Sequence, residues 1–266
     1  MLKALTVFLI LTPSLLVPQR DSLRRVGVLR FADAVGYTYV APLRWESKDW
    51  LKFVAIVGGT TAITLADDPV RAFWNGQDNK VFDRVNTVGY HYGKPYSGFI
   101  LSGGLYAAGL LVKNEWARET GMALATSLLT AGILEMSLKT IVGRARPQRE
   151  EGNYSLTFFN RAAGYHSFPS GHASMAFTIS FVMAKRSKAM PVKIFFYTLA
   201  TSTAVCRLYS DAHCISDVAF GSILAWYCSE AAIKRPEMYR MENPRKKTSW
   251  DISPYPGGLT LRATFK

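Results

Sequence analysis

Apolar residues along this chain gather into blocks. Six of them run over Trp50–Leu65, Tyr96–Val112, Thr120–Leu138, Ser170–Ala184, Val192–Leu208 and Asp217–Ile233, each 15 to 19 residues long. Blocks of that length predict helices that cross a bilayer when tilted. They are studded with small residues, among them Gly58-Gly59, Gly98, Ser102, Gly103-Gly104, Ser127, Gly132 and Ala173. Small residues let helices approach closely in lipid, where water supplies no drive for association. The pattern therefore predicts an all-α fold, a six-helix transmembrane bundle. The competing expectation is six buried helices of a soluble bundle.

The flanks differ in character. Residues 1–18 carry one Lys and an apolar run broken by Pro13, which suits a signal peptide or an N-terminal anchor. Residues 19–49 space Arg20, Arg24, Arg25 and Arg30 among Leu, Val and Phe, as an amphipathic segment lying at an interface does. The core is then 50–233, followed by a basic C-terminal tail, 234–266. The tail ends with Leu259, Leu261, Ala263 and Phe265 alternating with other residues. That period suits a strand, but no partner strand is evident, so a loosely ordered tail is expected.

Composition narrows the class. Of 266 residues, 49% are hydrophobic, which excludes intrinsic disorder. The mean hydropathy of +0.06 leans toward the soluble alternative, whereas the blocking of apolar residues favours membrane. The net charge of +13 calls for a polyanionic partner. Aromatic and basic residues are not interleaved as on an RNA-binding surface, and no nucleic-acid motif is present, so membrane lipids and phosphate are expected instead. Three cysteines, Cys206, Cys214 and Cys228, form no CxxC pattern and read as small buried hydrophobes.

Three polar clusters interrupt the apolar pattern. Lys139 and Arg146-Pro147 close the third block, Pro169-Ser170-Gly171-His172 opens the fourth, and Arg207, His213 and Asp217 join the fifth to the sixth. Counting crossings puts all three on one membrane face. Lys139, Arg146 and Arg207 are cations that would be costly beside lipid without an anion between them. An Arg fork matches phosphate oxygens, and Lys adds a point charge. Ser170 stands at an N-cap position, and Gly171 lets a ligand reach the free N–H groups of a helix N-terminus. His213 and Asp217 are four apart, so one helical turn puts them on one face. Asp217 is expected to accept the Nδ1–H of His213 and leave Nε2 as a nucleophile. His172 suits a general acid for the leaving oxygen. Neither a metal nor a cofactor is called for. Glu135, one turn before Lys139, is expected to pair with it and position it.

These clusters resemble the signature of the phosphatidic acid phosphatase type 2 superfamily, which includes lipid phosphate phosphatases, bacterial acid phosphatases and vanadium haloperoxidases. The pattern is K-x6-R-P, then P-S-G-H, then S-R-x5-H-x3-D. Every position matches except Cys206, which stands where the family usually has Ser. The resemblance covers about residues 50–233. It implies a six-helix core, phosphate ester hydrolysis through a phosphohistidine, and inhibition by vanadate.

The expected activity is metal-independent hydrolysis of a lipid phosphate or pyrophosphate monoester. The alternatives are a soluble periplasmic acid phosphatase, a haloperoxidase, or a phosphate-binding lipid carrier without turnover. Outside the catalytic cations, the active face carries 7 Lys and Arg and the opposite face 12. The positive-inside rule then turns the site outward, toward the periplasm of a bacterial inner membrane.

Overall fold

The computed structural model describes residues 31–242, 248–255 and 258–265. The expectations for residues 1–18, and for the first part of the 19–49 segment, lie outside these. Helix α1 covers 31–39, and a 3-10 turn follows at Ala41–Arg44. The first apolar block becomes α2 (Ser47–Ile63), opened by a capping box in which the Glu46 and Asp49 carboxylates each accept from the other's backbone N–H. The other blocks become α5 (Pro95–Leu111), α6 (Glu115–Val142), α7 (Gly171–Arg186), α8 (Met190–Tyr209) and α9 (Ile215–Glu242). Asn114 caps α6 through the Ala117 N–H at 3.0 Å, and α6 ends at Gly143 in the left-handed region.

Two further helices lie where the sequence pattern places none: α3 (Asp67–Asn75) and α4 (Lys80–Tyr92). Both are polar enough to escape a search for apolar blocks. The C-terminal expectation is corrected. Thr248–Tyr255 (β1) and Gly258–Phe265 (β2) pair antiparallel in register, Thr248 opposite Phe265 and Tyr255 opposite Gly258. The missing partner strand is the preceding segment, whose Ser, Asp and Pro residues hide its period.

Helices α6 and α7 form the centre, with α8 and α9 packed on α7. Leu124, Leu128, Ile179 and Val182 are fully enclosed there. Around them the buried positions are small or hydroxylated: Thr126, Ser127, Thr130 and Ala131 on α6, and Ala173, Ser174, Ala176 and Thr178 on α7. Several hydroxyls are satisfied within their own helix, as when Ser127 Oγ donates to the Ala123 carbonyl at 2.7 Å. Helix α4 lies tightly against α8: a Cβ at Gly89 would come within 2.3 Å of the Ser202 carbonyl oxygen. Only glycine permits that approach.

The outside of the bundle is apolar. Leu51 and Val54 on α2, Ile100 and Leu111 on α5, Met136 on α6, and Ile194 and Phe195 on α8 are each more than half exposed. Among the described residues, the stretch Ser47–Asn75 and helix α6 are long and apolar enough to cross a membrane. Apolar surface spread over this many helices suits lipid and not water, and the chain is a membrane protein.

Candidate active site

The three sequence clusters meet at one end of the bundle. The K-x6-R-P segment delivers Lys139 in the last turn of α6 and Arg146 just beyond it. The P-S-G-H segment starts α7, and the third cluster spans the α8–α9 junction.

His213 sits in that junction, 4% exposed. Its Nδ1 lies 2.7 Å from the Ser167 carbonyl oxygen, and its Nε2 lies 3.5 Å from Arg146 Nη1. A carbonyl only accepts, so Nδ1 carries the proton and Nε2 presents its lone pair toward the cations. The expected Asp217 partnership takes a different form. Asp217 Oδ2 is 3.7 Å from Nδ1, within ion-pair reach but beyond a hydrogen bond. That carboxylate is instead fixed by Ser167 Oγ at 2.6 Å, the Cys214 N–H at 2.9 Å and Arg144 Nη1 at 2.6 Å. The ring is thus oriented by a backbone carbonyl, with the carboxylate behind it as a counter-charge. Burial draws the imidazole pKa down to about 4; Lys139 and Arg146 push the same way, and Asp217 opposes them.

His172, in the first turn of α7, stacks on Tyr90 with ring centroids 5.3 Å apart and planes 28° apart. Lys94, Lys139, Arg207 and His213 all lie near enough to act on it electrostatically. Its Nε2 is buried and has no hydrogen-bond partner among the described residues; Ser170 Oγ and Arg207 Nε share that state. Buried polar atoms are rarely left so. All three belong to residues the sequence singled out. Ser170 occupies the N-cap position, but its side chain makes no capping bond.

Arg146 donates to the carbonyls of Ala163 at 3.1 Å and Ala212 at 3.1 Å. Burial and the charge of Arg207 lower its pKa. Lys139 Nζ donates to the carbonyls of Pro169 at 2.6 Å and His166 at 3.0 Å, and stands 3.5 Å from Glu135 Oε1, the pairing expected from their spacing. Lys139 therefore ties the approach to α7 onto α6, and its third proton is the loosest held. Glu135 also explains Gly171: a Cβ there would sit 2.3 Å from Glu135 Oε1. Cys206 is fully buried, its Sγ 3.9 Å from Arg207 Nη1.

Several supporting residues carry no sequence motif. Arg144 is 4% exposed and bridges Asp217 to Asp67, whose Oδ2 is 2.8 Å from Arg144 Nη2. Asp67 also accepts from Ser216 N–H at 3.0 Å and Ser216 Oγ at 2.8 Å. Arg71 grips Asp211 through two 2.7 Å bonds and reaches the Pro147 carbonyl at 2.9 Å. Tyr90 underlies Lys94 at 4.4 Å, Arg207 at 6.0 Å and His172. The one available signal is Asp67-Asp68 directly after an apolar block, where acidic residues demand a partner. Phe158 and Phe159, in the loop between α6 and α7, are 64% and 73% exposed. Tyr165, in the same loop, stacks under the Arg149 guanidinium at 4.4 Å.

Residues 120–239 match the family model of the PAP2 superfamily. This segment belongs to that superfamily. The PAP2 segment holds every site residue named from the sequence. Several relatives are similar to the chain. A lipid A 1-phosphatase from Rhizobium etli is 32% identical over 117 residues, which is 42% of this chain and 49% of the relative. The match thus spans about half the length of that relative. One from Rhizobium johnstonii is 27% identical over 214 residues, 72% of this chain and 81% of the relative. Among solved structures, a transmembrane PAP2-type phosphatidylglycerolphosphate phosphatase from Bacillus subtilis shares the fold, with TM-score 0.50, 17% identity, and 73% of this chain and 96% of that one covered. Aquifex aeolicus LpxE gives TM-score 0.48 at 22% identity, covering 63% and 93%.

Proposed function

We propose that this protein is a membrane phosphatase that hydrolyses a lipid phosphate or pyrophosphate monoester through a phosphohistidine on His213. The observation that carries this is the divided imidazole: Nδ1 bound to the Ser167 carbonyl, Nε2 open beside Arg146. His213 Nε2 attacks phosphorus, and the P–O bond to the leaving group breaks in line. Lys139, Arg146, Arg207 and the first N–H groups of α7 hold the other phosphoryl oxygens as charge redistributes. His172, neutral among the cations in the free site, takes up a proton when the phosphoryl dianion binds beside it, gives that proton to the departing oxygen, and then takes one from the water that cleaves the phosphohistidine. Asp217, 3.7 Å away, balances the positive charge that His213 acquires. The positive charge comes from side chains, so hydrolysis is expected to persist in a chelator.

The similar proteins from both Rhizobium species are named for lipid A, which makes a phosphorylated lipid of that kind the first substrate to assay. We place the site on the outer, periplasmic side of a multi-pass protein, because Lys and Arg are more numerous at the opposite helix ends. His213→Ala tests the mechanism: phosphate release should fall by at least about 10³-fold. Acid-labile, base-stable ³²P should appear on the parent after an acid-free quench and be absent from the variant. Label on a serine would transfer the role to Ser170.

A further inference from the structure

We propose a second ligand site, for the headgroup and upper acyl region of an anionic diacyl phospholipid, in the cleft between α7, α8 and α9 at the far end of the bundle from His213. Lys185 lies 13 positions after His172 on α7, which at 1.5 Å per residue is about 20 Å along the helix. The site is therefore separate from the phosphate receptor, and the inference does not depend on the phosphatase assignment.

A cavity of 510 Å³ opens there, walled by Lys185, Lys193, Tyr197, Trp226, Ser229 and Glu230. The three helices repeat one arrangement. Each carries a charged residue at the rim and an aromatic one turn deeper: Lys185 over Phe181, Lys193 over Tyr197, and Glu230 over Trp226. One turn is about 5.4 Å, the step from a lipid headgroup to its first methylenes. Tyr197 is 42% exposed and Trp226 48%, so both offer faces to an occupant. Aromatic rings favour this depth of a bilayer.

Charge selects the occupant. Glu230 pairs with Lys185 and, at 2.9 Å, with Lys234. Lys193 makes no ion pair among the described residues. Two ammonium groups, Lys185 and Lys193, thus share the cavity wall with one carboxylate, itself shared with Lys234, and the surplus is positive. Ser229 is 2% exposed, and its Oγ has no hydrogen-bond partner among the described residues. A donor of that kind in the cavity wall suits a phosphodiester oxygen. A zwitterionic lipid brings its own ammonium into the surplus, and free phosphate leaves the aromatic turn uncovered.

Brominated lipids test the site, because bromine quenches tryptophan only at close range. The full-length protein is reconstituted in phosphatidylcholine nanodiscs doped with dibrominated phosphatidylglycerol or, at equal mole fraction, dibrominated phosphatidylcholine. Phosphatidylglycerol should quench more. That excess should vanish in Trp226→Phe, shrink severalfold in Ser229→Ala and Lys193→Gln, and disappear in Lys193→Glu. Equal quenching by the two lipids, an excess that survives Trp226→Phe, or one indifferent to Lys193→Glu overturns the proposal. Circular dichroism and hydrolysis of a soluble phosphate ester, both expected at parental level in the Lys193 variants, verify the fold; Ser229→Ala supplies the test should Lys193→Glu not fold.

Discussion

The proposed mechanism needs a neutral imidazole, and His213 is kept so by being buried among cations. In unfolded chain a histidine titrates near about 6.5; here it does so at about 4. Between those values the unfolded state binds the extra proton. This contribution to stability is therefore fully present above about 6.5 and is lost as pH falls toward 4. Nitrogen-15 spectra of labelled histidine in detergent should show the His213 ring neutral at pH 5.5, with its Nδ1–H retained. Protonation near 6.5 would mean that the ring is solvated and the pocket wrongly drawn. At this scale the motifs pointed to a ring, cations and polar side chains that the fold brings to one end of the bundle. They did not reveal that the Ser167 carbonyl takes the Nδ1 proton, because a backbone acceptor leaves no mark in a residue pattern.

Helix junctions are tied together by a buried charge network. Asp67 at the start of α3, Arg144 after α6, and Ser216 and Asp217 at the start of α9 are all enclosed. Two carboxylates flank one guanidinium, and the carboxylates hold its pKa up against the lowering effect of burial. Removing one member of such a set leaves a charge buried without compensation. Asp67→Ala should lower stability by about 3–5 kcal/mol. Asp67→Asn, which still accepts from the Ser216 N–H, should cost less, as read by unfolding in mixed detergent. Equal effects would make shape, and not charge, the function of Asp67. Spacing exposed the three polar clusters because each is contiguous. It could not expose this network, in which Asp67 and Ser216, bonded to each other, lie 149 positions apart.

For the whole molecule the decisive quantity is the exposed apolar surface on α2, α5, α6 and α8. In water it would aggregate; in lipid it costs nothing. Membranes washed with high salt and then carbonate should retain the protein, and release into buffer would return it to the soluble class. Orientation is checked by placing single cysteines at Phe158 and Lys188. An impermeant maleimide added to intact cells should label the first and not the second, and the reverse pattern would turn the site inward.

The sequence alone determined the helical class and which residue types gather at the candidate site. Apolar block length is set by bilayer thickness, and phosphate capture demands particular residue types at short spacings; both are local properties, written in contiguous residues. The tertiary structure decided which backbone carbonyl orients His213, that Asp67 and Arg144, neither a specified motif position, lock the site, that Tyr90 floors it, and that β1 pairs with β2. Those outcomes depend on which distant atoms come within about 3 Å of one another, and residue order does not encode such distances until the chain has packed.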